Sequence, residues 1–237
     1  MYRTNFADKV LKFTNDLSSV SIDLPDKFKL INPYSGKQQA AVCQITTAFY
    51  QKYFDDTKPR RLILGSSPAR RGTAMTGVPF EDAKHLQTET GILIDQFYIN
   101  QSSSNFLYDV MTKYGGSKKF YNAFYLGFVC PLGVASINAK GNEVNCNYYE
   151  NKKVQNLLLP FIVHSLRRQI DFGIDTSVCY CIGSGENYKV LVNINHQYHF
   201  FETIVPLEHP RFITQYHPKD HDKYLEKYLN ALHHESC

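Results

Sequence analysis

Short apolar runs rich in β-formers alternate along this chain with stretches of helical pattern, and few architectures accommodate that alternation. The runs are Arg61–Gly65 (RLILG), Ala123–Leu132 (AFYLGFVCPL), Ser177–Gly183 (SVCYCIG) and Thr203–Leu207 (TIVPL), each followed by Gly, Pro or polar residues. Helical patterns occupy Lys37–Phe54, Val154–Phe172, Glu186–Val192 and Lys219–His233. Strands interleaved with helices predict a three-layer α/β/α sandwich around a short, mainly parallel central sheet. Ligands of such sheets bind outside the carboxyl ends of the strands. Function is therefore expected just past Gly65, Leu132, Gly183 and Leu207.

A chain of 237 residues suits one domain spanning residues 1–237, large enough to bury a stable core unaided. Nothing in it approaches the roughly 20 apolar residues of a membrane helix. The start, MYRTNFADKVLKF, lacks the apolar segment of a signal peptide, so a cytoplasmic protein is expected. Cys43, Cys130, Cys146, Cys179, Cys181 and Cys237 are scattered, without metal or cluster spacing, and read as free thiols, mostly in the core. A formal net charge of +4 permits an anionic partner without identifying one.

Two of the strand-end loops carry chemistry. After the first strand, GSSPARRGTAMTGVPF (Gly65 to Phe80) combines Gly65, Gly72 and Gly77 with Pro68, Pro79 and the cations Arg70 and Arg71. Glycines let backbone amides approach a ligand, and paired arginines favour phosphate. The loop also fits a generic βα connection or a nucleotide site, but its spacing is neither a dinucleotide fingerprint nor a P-loop. After the last strand, LEHPRFITQYHPKD (Leu207 to Asp220) places His209 at a strand end, followed by Pro210, Arg211, Phe212 and Ile213. Elsewhere, Gly183-Ser184-Gly185 can offer helix-terminal amides to a phosphate. His196 and His199 in HQYH have no companion ligands that would make a metal site. Lys219, Lys223 and Lys227 lie at i, i+4 spacing, the pattern of a solvated helix face.

Together the two loops resemble the uracil-DNA glycosylase superfamily, and within it the single-strand-selective monofunctional uracil-DNA glycosylase branch. Gly65, Pro68, Gly72, Thr76, Gly77, Val78, Pro79 and Phe80 match the family's G-x-N-P-G-x-x-G-x-x-x-T-G-V-P-F, and His209-Pro210 matches the start of its H-P-S-P-R. Asn32-Pro33-Tyr34 and Cys130-Pro131-Leu132 are further landmarks. The resemblance implies that a damaged base is extruded from DNA and that its N-glycosidic bond is hydrolysed. It makes Phe80 the stacking aromatic and His209 the donor to the departing base. Gly65 and Ser66 are expected at the base pocket and Arg70, Arg71 and Ser184 at the DNA, Ser184 equally fitting a plain tight turn. Arg211-Phe212-Ile213 stands where the family has S-P-R, and a cation with two apolar residues there is expected to probe the strand, Phe212 and Ile213 as a wedge in the stack.

The chain also departs from the pattern. The family's water-positioning asparagine falls at Ser67 and its second glycine at Ala69, giving G-S-S-P-A. Its base-reading asparagine falls near Phe128, which cannot form paired hydrogen bonds, and Asn147 in NCNYYE is the substitute. Asp82 stands behind Ser67 as an alternative holder of water, and His217 behind His209. Since no lysine lies in Gly65–Phe80 or in His209–Ile213, the expectation is a monomeric, monofunctional DNA glycosylase without lyase action or cofactor. A non-catalytic DNA- or nucleotide-binding module on the same fold and an enzyme of free nucleotides are the alternatives.

Overall fold

The structure, a computed structural model, describes residues 4–70, 73–94 and 102–233. Its elements in chain order are α1 (Phe6–Leu17), β1 (Phe28–Ile31), α2 (Gln39–Phe54), β2 (Arg60–Gly65), α3 (Thr73–Thr76), α4 (Ala83–Thr90), α5 (Ser102–Tyr114), α6 (Ser117–Ala123) and β3 (Phe124–Phe128). There follow β4 (Gly133–Ile137), β5 (Glu143–Cys146), α7 (Lys152–Ile170), β6 (Ile174–Ile182), α8 (Glu186–Tyr198), β7 (Thr203–Leu207), α9 (Pro210–Tyr216) and α10 (His221–His233).

Four strands form a wholly parallel sheet in the order β3-β2-β6-β7, flanked by helices as the alternation predicts. The central strand β2 buries Leu62, Ile63 and Leu64 to 2% exposure or less, which explains its unbroken apolar run. A second, antiparallel sheet, β1-β4-β5, has no counterpart in the sequence reading. The expected strand Ala123–Leu132 is in fact β3, which stops at Phe128, followed by a turn and then β4. Pro131 has no N–H for a ladder, and a Cβ on Gly133 would stand 2.5 Å from the Pro68 carbonyl oxygen, so the chain turns where only these residues fit. α10 begins at His221 rather than Lys219 because Pro218–Asp220 forms a 3-10 turn.

α1 starts with a capping box, Asn5 and Asp8 each accepting from the other's backbone N–H. It buries Phe6, Val10, Phe13 and Leu17 on one stripe. That stripe helps to enclose Arg60, 1% exposed at the start of β2. The guanidinium lies 4.7 Å from the ring centres of both Phe6 and Phe54. Its nitrogens donate to both Asp56 oxygens (2.9 and 3.0 Å) and to the carbonyls of Tyr53, Lys58 and Tyr121. Five donors thus have five partners, which is what makes a buried arginine tolerable.

Cys130, Cys146, Cys179 and Cys181 are buried free thiols and Cys43 is exposed; Cys237 lies outside the described residues. No helix among the described residues is long and apolar enough to cross a membrane.

Candidate active site

The carboxyl ends of β2, β3 and β7 deliver three of the candidate residues to one place. Val129 N–H donates to the Gly65 carbonyl and Cys130 N–H to that of Ser66, both at 2.9 Å, tying the loops after β2 and β3 together. A Cβ on Gly65 would meet the Phe80 ring at 2.6 Å and the Phe128 ring at 3.0 Å, so this position is glycine for want of space. The Phe80 ring centre is 5.6 Å from that of Phe128 and 6.4 Å from that of His209. The described structure therefore brings Gly65, Phe80, Phe128 and His209 together.

Phe80 is held by its own loop. Gly77, at φ 74°, sits where a Cβ would be 2.6 Å from Val42, and its carbonyl accepts from the Tyr34 hydroxyl at 2.9 Å. Tyr34 N–H in turn donates to the Asn32 side chain, which donates to the Leu17 carbonyl, so Asn32-Pro33-Tyr34 braces TGVPF. Phe80 itself adopts φ 60°, a left-handed conformation costing a bulky residue on the order of 1–2 kcal/mol. The next two residues fix it there. Glu81, 2% exposed, accepts from the hydroxyls of Tyr108 on α5 (2.7 Å) and Tyr121 on α6 (2.6 Å). Asp82, 1% exposed, caps α4 through His85 N–H (3.0 Å) and also bonds the His85 ring (2.6 Å) and the Ser104 hydroxyl (2.5 Å). With both its oxygens engaged on α4 and α5, Asp82 serves the scaffold rather than an attacking water.

The two neighbouring carboxyls are driven apart in acidity. Burial pushes Glu81 up to about 7, aided by the nearby charges of Asp82 and Glu89, and its two tyrosine hydrogen bonds only partly oppose that. Burial acts on Asp82 in the same sense, but the bonds from Ser104 and His85 outweigh it and hold the carboxyl below its ordinary value.

His209 is the N-cap of α9, where its Nδ1 accepts the Arg211 backbone N–H at 3.1 Å. The ring proton of the neutral imidazole therefore resides on Nε2. Burial, with the Arg211 charge adding to it, pushes the imidazole down to about 4, so at neutral pH it is an uncharged N–H donor. The residue before it is anchored from α10: Tyr228 donates to the Glu208 carbonyl, and Lys227 Nζ lies 2.5 Å from a Glu208 carboxylate oxygen.

Other expected residues divide. Ser66 donates to Asn147 Oδ1 (3.2 Å), and Asn147 Nδ2 donates to Glu150 (2.6 Å), so the amide is oriented beside the end of β2. Ser67 is partly buried and has no hydrogen bond among the described residues. Arg70 is fixed through its backbone N–H on Asn145 (2.8 Å), while Arg71 lies outside the described residues. Ser184 is exposed in the turn after β6. Arg211 is exposed and Phe212 is 41% exposed, but Ile213 is 0% exposed. The expectation that Ile213 is part of a wedge is thereby corrected, because the turn of α9 directs it into the core and leaves only Phe212 of the pair exposed. Among the described residues, the ring contacts of His217 are with Phe212 and Tyr224 and not with the rings of the cleft. Among the described residues, no group of three His, Cys, Asp or Glu side chains is arranged to hold a metal ion.

The carboxyl states have a measurable consequence. With a folded pKa of about 7 against an ordinary 4.5, Glu81 keeps in the fold a proton that the unfolded chain releases, so its contribution to stability is present below 4.5 and lost as pH rises through 7. His209, lowered from 6.5 to about 4, acts oppositely, its contribution being present above 6.5 and lost as pH falls. Glu81→Gln cannot ionise and should remove only the first effect. Urea unfolding should show the variant gaining on the wild type between pH 5 and pH 8 by an amount on the order of 3 kcal/mol. Parallel stability curves would contradict a neutral Glu81.

The same arrangement of strands and loops is found in known proteins. The family model described as the uracil DNA glycosylase superfamily matches residues 51–233. The crystal structure of wild-type Pedobacter heparinus SMUG2 is similar over 97% of both chains, with a TM-score of 0.90 and 42% sequence identity. No curated protein sequence is significantly similar. Since the family match takes in the strands that carry Gly65, Phe128 and His209 as well as the loop of Phe80, the chain belongs to the uracil DNA glycosylase superfamily.

Proposed function

We propose that the protein is a monofunctional DNA glycosylase that hydrolyses the N-glycosidic bond of uracil or a related deaminated base in DNA, working as a single monomeric unit in base excision repair. Membership of the superfamily supports the reaction class. The observation that carries the finer reading is the placing of the His209 ring 6.4 Å from that of Phe80 with the Arg211 N–H on its Nδ1, which leaves Nε2 as the donor facing the cleft. As the bond from base nitrogen to sugar breaks, the electron pair leaves with the base and positive charge grows on the sugar. A fixed donor at a base oxygen then stabilises charge that appears only in the transition state.

The remaining steps fall to neighbouring residues. Phe80 stacks on the extruded base, recovering part of the unstacking cost, with Phe128 closing the same cleft. Asn147 still has one N–H and one lone pair beyond its bonds to Glu150 and Ser66, the pair needed to read a uracil edge. Ser67 holds the water that adds to the sugar carbon, which yields an abasic sugar and free base. Arg70, Arg71, Arg211 and Ser184 meet the DNA backbone, and Phe212 fills the space left in the stack. No cofactor enters the reaction.

Purified protein in EDTA should release uracil from an oligonucleotide and leave an abasic site that breaks only on alkali treatment. Strand breakage without alkali, or a need for added metal, would contradict the monofunctional hydrolysis. His209→Ala should reduce the single-turnover rate by about 10²–10³-fold, the scale of one lost transition-state donor, and leave DNA affinity nearly intact. With His209 neutral down to about 4, the wild-type rate should show no break near pH 6.5 that His209→Ala removes. Such a break would place the histidine in the charged form.

A further inference from the structure

The main chain around His209 is held on both sides. Gly183 N–H donates to the Leu207 carbonyl at 2.8 Å, and Phe212 N–H and Ile213 N–H donate to the His209 carbonyl at 2.8 and 3.3 Å. Arg211 N–H donates to the ring at 3.1 Å. All of these donors belong to the backbone. The carbonyl between them, that of Glu208, accepts instead from a side chain, the hydroxyl of Tyr228 on α10. Tyr228 is 1% exposed, and burial, with the charge of Glu208 adding to it, pushes its hydroxyl well above the ordinary tyrosine range, so it stays a neutral donor. Its ring meets that of buried Phe106 on α5 edge-on, 5.1 Å between centres. α5 is also the helix whose Ser104 and Tyr108 bind Asp82 and Glu81 behind Phe80. One helix thus backs both the ring and the donor of the cleft.

We infer that Tyr228 is a positioning residue for His209: its hydroxyl sets the plane of the peptide between Glu208 and His209, and through it the direction of Nε2. The inference rests on the reading of His209 as the donor to the departing base. A peptide is planar, so a fixed carbonyl oxygen on Glu208 fixes the nitrogen of His209 and the rotation that follows it, here φ −66°. A buried carbonyl that loses its donor turns toward another partner, and the imidazole swings with the plane. Misplacing a reacting group by 1 Å can cost about 10²-fold in rate, so a smaller tilt of the donor is enough to matter. The Lys227–Glu208 ion pair on the same helix bears on the Glu208 side chain and leaves the peptide plane free. Tyr180 offers a comparison, since its hydroxyl donates to the Ala231 carbonyl within α10 at 3.2 Å. That bond ties α10 to β6 and involves no part of residues 207–211.

Single-turnover uracil release by the full chain tests this, together with nitrogen-15 NMR of the His209 ring in the free protein. Tyr228→Phe keeps the buried ring against Phe106 and removes only the hydroxyl, so the core stays filled. It should slow release about tenfold at nearly unchanged DNA affinity. Tyr180→Phe, which takes a comparable bond from the same helix, should keep the wild-type rate. In the His209→Ala background, Tyr228→Phe should have no further effect, because no ring remains to be positioned. In the free protein, Tyr228→Phe should shift or broaden the His209 ring signals and Tyr180→Phe should leave them in place. A wild-type rate for Tyr228→Phe, an equal loss for Tyr180→Phe, the same loss with and without His209, or undisturbed His209 signals would each overturn the positioning role. If the wild type releases no uracil, or His209→Ala releases it at the wild-type rate, the reading of His209 fails instead. The NMR comparison needs no DNA and still decides whether Tyr228 holds the ring.

Discussion

The missing side chain at Gly65 is the constraint on which the site is built. At the end of the central strand, a single Cβ would stand 2.6 Å from the tip of the Phe80 ring and 3.0 Å from the Phe128 ring, and overpacking of that kind displaces the rings from their places. With glycine there, the loop carrying TGVPF can fold back over the sheet and the end of β3 can come beside it. The parallel register then does the rest, because β2, β6 and β7 end near one level and His209 follows two residues after Leu207. One small residue thus converts three strand ends into a cleft.

The electrostatics of the cleft follow from burial. A charged imidazole at His209 would suffer both desolvation and the neighbouring Arg211, so the neutral form prevails, and the N-cap bond decides which nitrogen carries the proton. Behind Phe80 the same low dielectric separates two adjacent carboxyls, Glu81 toward the protonated form and Asp82 toward the ionised one. Each is satisfied by hydrogen bonds to α4, α5 or α6, and this clamp holds Phe80 in a conformation that local sterics oppose. Under the proposed function, pre-organisation of this kind would set a donor and a stacking ring in place before substrate arrives.

Much of this was legible in the sequence where the signal was local. β7 is found with the bounds its apolar run suggests, and Gly65, Phe80 and His209 are singled out by two short motifs. α1 carries a local signal of the same kind, an Asn5-x-x-Asp8 capping box with apolar residues at 6, 10, 13 and 17. The small sheet was not readable, since β1 and β5 are half exposed and have no clean alternation. The inward face of Ile213 is not legible in the sequence, because a seven-residue helix is too short for its apolar phase to be set without its packing. The tyrosine partners of Glu81 and the Ser104 partner of Asp82 lie 22 to 40 residues further along the chain, so of the clamp only the Asp82–His85 cap is adjacent to TGVPF.

The central claim is that a neutral His209, protonated on Nε2 and held by the Arg211 N–H on Nδ1, waits at the base cleft. Nitrogen-15 NMR of the imidazole ring in the free protein measures it directly. A proton on Nε2, a bare Nδ1, and no titration from pH 8 down to about 5 are expected; a ring that titrates near 6.5, or that carries its proton on Nδ1, would contradict it.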